Sequence, residues 1–165
     1  LDAGAAAPVR LTDGGAADQA PRVSPDGRRI VFQSNRGLDF DVYVMDASGG
    51  GVTNLTRRAG DDRFPAWTPD GTRVVWTRFD DVSLSFDVWS MRADGADARA
   101  VVATEFDELQ PSVSPDGQRV VFQSDRIPPS RLFTAPLAGG APRPLAADDR
   151  EGAGADQAPW WGPAR

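Results

Sequence analysis

One turn-and-strand pattern returns four times in this chain, and a long-period repeat constrains a fold more tightly than any local propensity. It reads APRVSPDG from Ala20 to Gly27, FPAWTPDG from Phe64 to Gly71, QPSVSPDG from Gln110 to Gly117, and APWWGPA from Ala158 to Ala164. The turn prolines Pro25, Pro69, Pro115 and Pro163 are 44, 46 and 48 residues apart. That period is the length of one four-stranded propeller blade.

Each repeat reads as four strands, a to d. Strand a carries Pro-x-(Val/Trp)-(Ser/Thr) and runs into Pro-Asp-Gly, where Pro pre-sets φ, Asp suits the next turn position, and Gly takes the left-handed conformation of a bulged hairpin. Strand b leaves as RRIVFQS, TRVVWTR and QRVVFQS, and its alternation places Ile30 with Phe32, Val74 with Trp76, and Val120 with Phe122 on matching faces. Strand c is DVYVMDA, DVWSMRA and RLFTAPL, with Tyr43, Trp89 and Phe133 in equivalent places. Strand d spans Val52 to Thr56, Ala98 to Thr104 and Pro142 to Ala147, and appears once more as Pro8 to Asp13.

The expected fold is therefore all-β, a propeller of four-stranded antiparallel blades. Three full blades cover about 20–63, 64–109 and 110–157, with an orphan outer strand in 1–19 and an orphan inner strand, Pro159 to Pro163, in 158–165. The 165 residues, 40% of them hydrophobic, suffice for a buried core, and the 17 Gly and 14 Pro are spread along the chain as turn residues are.

The ordered run of SPDG, a hydrophobic strand ending in Ser with Asn/Asp-Arg, DVYVMD, Gly-Gly and LT resembles the WD-like propeller repeat of TolB and its relatives. The resemblance covers nearly the whole chain. The second repeat departs from it with TRFDDVSLS in place of QSNRG and QSDRI, and the third has Arg131 where an aspartate opens strand c. The resemblance implies a propeller whose strand a lies innermost, and a non-catalytic module that binds another protein in the periplasm or cell envelope. Similar repeats precede the hydrolase domain of prolyl-oligopeptidase-type peptidases, where the propeller gates substrate, and sensor domains of signalling proteins are a third setting.

Landmark spacing separates the two faces of such a propeller. Turn Pro to strand-b aromatic is seven residues in every full repeat; from that aromatic to the one in strand c is 11, 13 and 11. From the strand-d Leu to the next strand-a Pro is 10 at Leu11 to Pro21 and at Leu55 to Pro65, and 14 at Leu145 to Pro159. The b–c and d–a connections vary and share one face, where function concentrates.

On that face an acid stands three residues before the first Pro of each strand a: Asp18, Asp62, Glu108 and Asp156. With strand a innermost, these carboxylates are candidates for a ring at the channel mouth that holds a divalent cation or meets a basic partner. The alternative is that each acid caps its own turn through backbone N–H groups. Asp39, Asp41, Asp80, Asp81 and Asp87 lack the loop spacing of a calcium site and read as a solvated loop. Trp161 corresponds to the core position of Val23, Trp67 and Val113, which leaves Trp160 as a candidate contact residue. Asn54-Leu55-Thr56 matches a glycosylation acceptor but sits in strand d, so the match reads as chance.

The chain has no His, no Cys and no Lys, all 18 of its positive side chains being Arg. A Ser-His-Asp triad, thiol chemistry and a Schiff-base lysine are thereby excluded within it, no resident cofactor is called for, and the expectation is that it is not an enzyme. A net charge of −6 gives no basic field for nucleic acid, and no apolar run is long enough for a membrane-spanning helix. LDAGAAAPVR at the start has neither an initiating Met nor a signal pattern, which points to a processed chain or part of a longer one. Three blades do not close a ring, so the expectation is completion by the rest of a longer chain or by another copy.

Overall fold

In the computed structural model, residues 7–145 are described. They form three antiparallel four-stranded sheets in strict chain order: β1 (Asp18–Val23), β2 (Arg29–Ser34), β3 (Asp41–Asp46) and β4 (Thr53–Asn54); β5 (Asp62–Trp67), β6 (Arg73–Asp80), β7 (Ser85–Arg92) and β8 (Arg99–Val102); β9 (Glu108–Val113), β10 (Arg119–Ser124), β11 (Arg131–Pro136) and β12 (Arg143–Pro144). The sheets converge on their first strands, β1 against β5 and β5 against β9. These are propeller blades, as the repeat implied.

The Ser/Thr-Pro-Asp-Gly turn explains its own recurrence. The Gly27, Gly71 and Gly117 amides donate back to the carbonyls of Ser24, Thr68 and Ser114 at 2.8, 2.9 and 2.8 Å, with φ of 71, 67 and 72° at the glycines. The hydroxyl of the same Ser or Thr donates to the turn aspartate, as Ser24 does to Asp26 at 2.5 Å, and accepts from the amide five residues on, Arg29 at 2.9 Å. The Ser or Thr, the Asp and the Gly of the turn thus each have a separate bonding duty. Strand a carries a second fixed irregularity, a register shift at Ala20-Pro21, Phe64-Pro65 and Gln110-Pro111, where φ is 50, 52 and 53°. The proline lacks the N–H that a regular ladder needs, and a bulge accommodates it.

Alternation along strand b sends side chains to opposite faces, and the core lies between blades. Val31 and Val42 of the first blade pack with Trp67, Val74, Trp76 and Met91 of the second. Val88, Val101 and Val102 of the second pack with Val120, Phe122, Phe133 and Ala135 of the third. Each Val, Phe or Met among them contributes about 1.5–3 kcal/mol on full burial. Trp67 also donates from Nε1 to the Arg22 carbonyl at 3.0 Å, tying one inner strand to the next.

The outer strands are shorter than expected, with ladder pairs confined to Thr53–Asn54 and Arg143–Pro144 in the first and third blades. Among the described residues the segment Pro8 to Asp13 pairs in no ladder. It still takes the outer-strand position: Leu11 packs on Ile30, Phe32, Tyr43 and Met45, and its carbonyl lies against Gly49 as that of Leu55 lies against Gly95. Inner strands begin at Asp18, Asp62 and Glu108, two residues before the repeat boundaries read from sequence. The inner strand expected at Pro159 to Pro163 lies outside the described residues.

Pro21 and Val23 of β1 are exposed, whereas their counterparts Pro65 and Trp67, and Pro111 and Val113, are buried. The difference follows from packing: β5 and β9 each have a preceding blade to lie against.

Candidate functional site

Antiparallel pairing puts the first residue of each inner strand opposite the end of strand b: Asp18 faces Ser34, Asp62 faces Arg78, and Glu108 faces Ser124. The b–c connections begin at this point. In the first blade Arg36 turns back, donating from Nη2 to Asp18 at 2.9 Å and from Nε to Ser34 at 3.0 Å, with its guanidinium 4.9 Å from the Tyr43 ring. In the third blade Arg126 repeats this, bonding Glu108 and Ser124 and lying 4.8 Å from the Phe133 ring. The second blade has no Arg at that loop position. There Arg78, on the strand itself, donates from Nε to Asp62 at 2.9 Å and lies 4.4 Å from the Trp89 ring. A guanidinium therefore fills one slot in all three blades, reached from two different sequence positions.

Asp18, Asp62 and Glu108 thus occupy equivalent places, each engaged by an Arg of its own blade. Among the described residues no three His, Cys, Asp or Glu side chains gather as a metal-binding group. Pinning of loop amides falls to the residue just before the acid: Asp61 accepts from the Phe40 amide at 3.0 Å and Asp107 from the Phe86 amide at 2.9 Å. Asp156, Trp160 and Trp161 lie outside the described residues.

The three acids differ in environment. Burial pushes the Asp18 carboxyl up, but hydrogen bonds from Ser34, Arg36 and Thr12 outweigh it and leave the group below its ordinary value. Asp62 is buried and also accepts from Trp76 Nε1 at 2.7 Å. Burial holds Glu108 above its ordinary value despite bonds from Thr104 and Arg126.

Of the five aspartates read as a solvated loop, Asp41 and Asp87 are buried, because Asp41 opens β3 and Asp87 lies within β7. Asp41 accepts from Asn54 Nδ2 at 2.7 Å and Thr56 Oγ1 at 2.8 Å, binding the outer strand to the third; this is the work of the Asn in the apparent glycosylation acceptor. Among the described residues Asp87 takes a single side-chain hydrogen bond, from the Thr104 amide to Oδ1 at 3.1 Å, and burial pushes its carboxyl up to about 6. It lines a cleft of about 330 Å³ with Asp80, Val82, Ser83, Ala103 and Thr104. Sequence reasoning missed both Asp87 as a buried acid and the three arginines. The recurring Asn/Asp-Arg after strand b was the available signal for Arg36 and Arg126.

The fold and these struts define a β-propeller segment in which, in each of the three described blades, an arginine meets the acid that opens the inner strand. The chain belongs to the TolB family: the family model of the TolB beta propeller domain matches residues 1–165. The putative TolB from Agrobacterium tumefaciens is similar in structure with a TM-score of 0.70 at 25% identity, over 82% of this chain and 51% of that one. TolB from Acinetobacter baumannii gives 0.68 at 18%, over 84% of this chain and 34% of that one. An oligogalacturonate lyase from Vibrio parahaemolyticus shares the fold, with a TM-score of 0.64 at 13% identity over 83% and 43% of the two chains. The chain thus spans about half or less of these proteins. No curated protein sequence matches it. Among the described residues no helix is long and apolar enough to cross a membrane.

Proposed function

We propose that this chain is a non-catalytic binding segment of a periplasmic TolB-like propeller, presenting its b–c and d–a loops to another protein. The observation that carries the reading is the fate of the recurring acids. Each of the three described is tied to an Arg of its own blade, from the b–c loop in the first and third and from β6 in the second, a use that stiffens the loop face and leaves no poised acid–base pair among them. The absence of His, Cys and Lys from the chain favours the same reading.

A second reading is a substrate-gating segment in a larger peptidase, since an AtxE2 isopeptidase and the tricorn protease share the fold at TM-scores of 0.59 and 0.58. A hydrolase domain bearing G-x-S-x-G in the parent gene would favour it. The exposed β1 face, with Pro21 and Val23, is the surface a further blade would cover, supplied by the same polypeptide or by a second copy.

Immobilised protein exposed to a periplasmic extract, together with turnover assays on peptides and oligogalacturonides, tests the reading. A saturable, reproducible protein partner without turnover is expected. Turnover by the purified chain, or no retained partner, would overturn it.

A further inference from the structure

The b–c connection of the second blade is an extended hairpin, with β6 and β7 two residues longer at this end than their counterparts. Its tip exposes Val82 at 94% and Leu84 at 73%, on a face where Leu38 of the first blade is also 93% exposed. A loose loop would scatter such side chains, but this one is braced. The Asp80 carboxylate accepts from the amides of Val82 and Ser83 at 2.8 and 2.9 Å, the Leu84 amide donates to the Asp80 carbonyl at 2.9 Å, and Phe79 and Phe86 pack edge to face at its base. Aliphatic groups held rigid in water bind at a low ordering cost.

Beside the tip lies the cleft that Val82, Ser83, Asp80 and Asp87 line together with Ala103 and Thr104. Asp87 is only 3% exposed, and its Oδ2 receives no hydrogen bond from the described residues. The Asp87 carboxylate lines the cleft, and its Oδ2 is not sealed from water, so an incoming donor can reach it there. Asp39, Asp81, Glu105 and Asp125 are exposed on the same face. The basic side chains Arg36 and Arg126 are turned to Asp18 and Glu108; Arg57 and Arg58 are exposed, Arg57 donating to the Asn54 carbonyl and Arg58 near enough to Asp80 to help hold its carboxyl below the ordinary value.

Resting on the reading of the chain as a binding module, we propose that the β6–β7 tip and its cleft dock a protein segment in which an Arg or Lys is flanked by aliphatic residues. The basic side chain enters the cleft and donates to Asp87 Oδ2; the aliphatic neighbours cover Val82 and Leu84. An anionic membrane is disfavoured by the surrounding acids, and a second copy of this face by like charge at a net −6.

The test uses a fluorescent synthetic peptide carrying Leu-Arg-Leu, a citrulline version that keeps the shape of the Arg and loses its charge, and a version with Ser for each Leu. Anisotropy is measured with the parent, Asp87→Asn and Val82→Ser/Leu84→Ser. Asp87→Asn keeps the acceptor for the Thr104 amide, and the tip residues are exposed, so folding is preserved and checked by circular dichroism. Affinity for the Leu-Arg-Leu peptide falls about tenfold or more in each variant. The Asp87→Asn loss disappears with the citrulline peptide, and the tip-variant loss disappears with the Ser peptide. Equal affinity in parent and variants, no binding of the peptide by the parent, binding to phosphatidylserine vesicles through Val82 and Leu84, or self-association lost in the tip variant would each overturn the site. A natural partner held equally by parent and tip variant would overturn the site while leaving the binding-module reading intact. Substrate turnover without any partner would remove that reading itself.

Discussion

Replacing Asp62 with Ala removes the acceptor of a buried ion pair while leaving its cation in place. Arg78 and Asp62 side chains are 10% and 1% exposed, so the stranded guanidinium cannot recover its hydration without opening the blade. Breaking such a pair from one side costs about 3–5 kcal/mol, and the loss of the acceptor for Trp76 Nε1 falls within the same disruption. The equivalent pair in the first blade, Arg36 and Asp18, is 28% and 18% exposed, and water takes over there, so Asp18→Ala costs about 0.2–1 kcal/mol. Urea unfolding followed by tryptophan fluorescence and circular dichroism measures both. Arg78→Met strands the carboxylate instead, and Asp62→Ala/Arg78→Met removes both charges, so the double variant is destabilised by less than the sum of the singles, with a coupling of about 1–3 kcal/mol. A loss below about 1 kcal/mol for Asp62→Ala, matching Asp18→Ala, or strict additivity in the cycle, would refute the strut.

Three further outcomes follow from the same packing. The folded state keeps the Asp87 proton up to about pH 6, whereas the unfolded chain releases it near 3.8, so the native state binds more protons in that window and stability falls as pH rises through it. The shift corresponds to roughly 2–3 kcal/mol at most, and Asp87→Asn flattens this part of the profile and raises the urea midpoint at neutral pH; identical profiles for parent and variant would contradict this. Trp67→Ala opens the junction of the first two blades and loses the bond to Arg22, a cost of about 3–5 kcal/mol by thermal or urea unfolding; a loss under about 1 kcal/mol would mean that the blades are held together elsewhere. If a second copy covers the β1 face, light scattering shows concentration-dependent association that Val23→Asp abolishes, whereas a folded 17.6 kDa parent monomer at every concentration would rule that closure out.

Much of the fold was legible because it is built from local, repeated constraints. Ser24, Pro25, Asp26 and Gly27 specify their turn through contacts within six residues, and the turn recurs with the same bonding at Thr68 and Ser114. The alternation of Ile30 and Phe32 with Val31 records two packed faces, which is why blade order and the variable face could be read from spacing. The site was legible only as positions. Asp18, Asp62 and Glu108 were found by their regular place before a proline, but nothing local marks what each will touch.

By itself the sequence determined the blades, their order, the turn chemistry and the absence of His, Cys and Lys. Tertiary structure decided the rest. It set each acid against an arginine 16 to 18 residues away, drawn from the loop in two blades and from strand b in the other. It buried Asp41 and Asp87, which by composition belong to an acidic surface, and left Val82 and Leu84, which by composition belong in a core, in water. The physical reason is that side-chain partners across a sheet and between blades depend on register, loop length and neighbouring surface together. None of these is written in the residue that they act on.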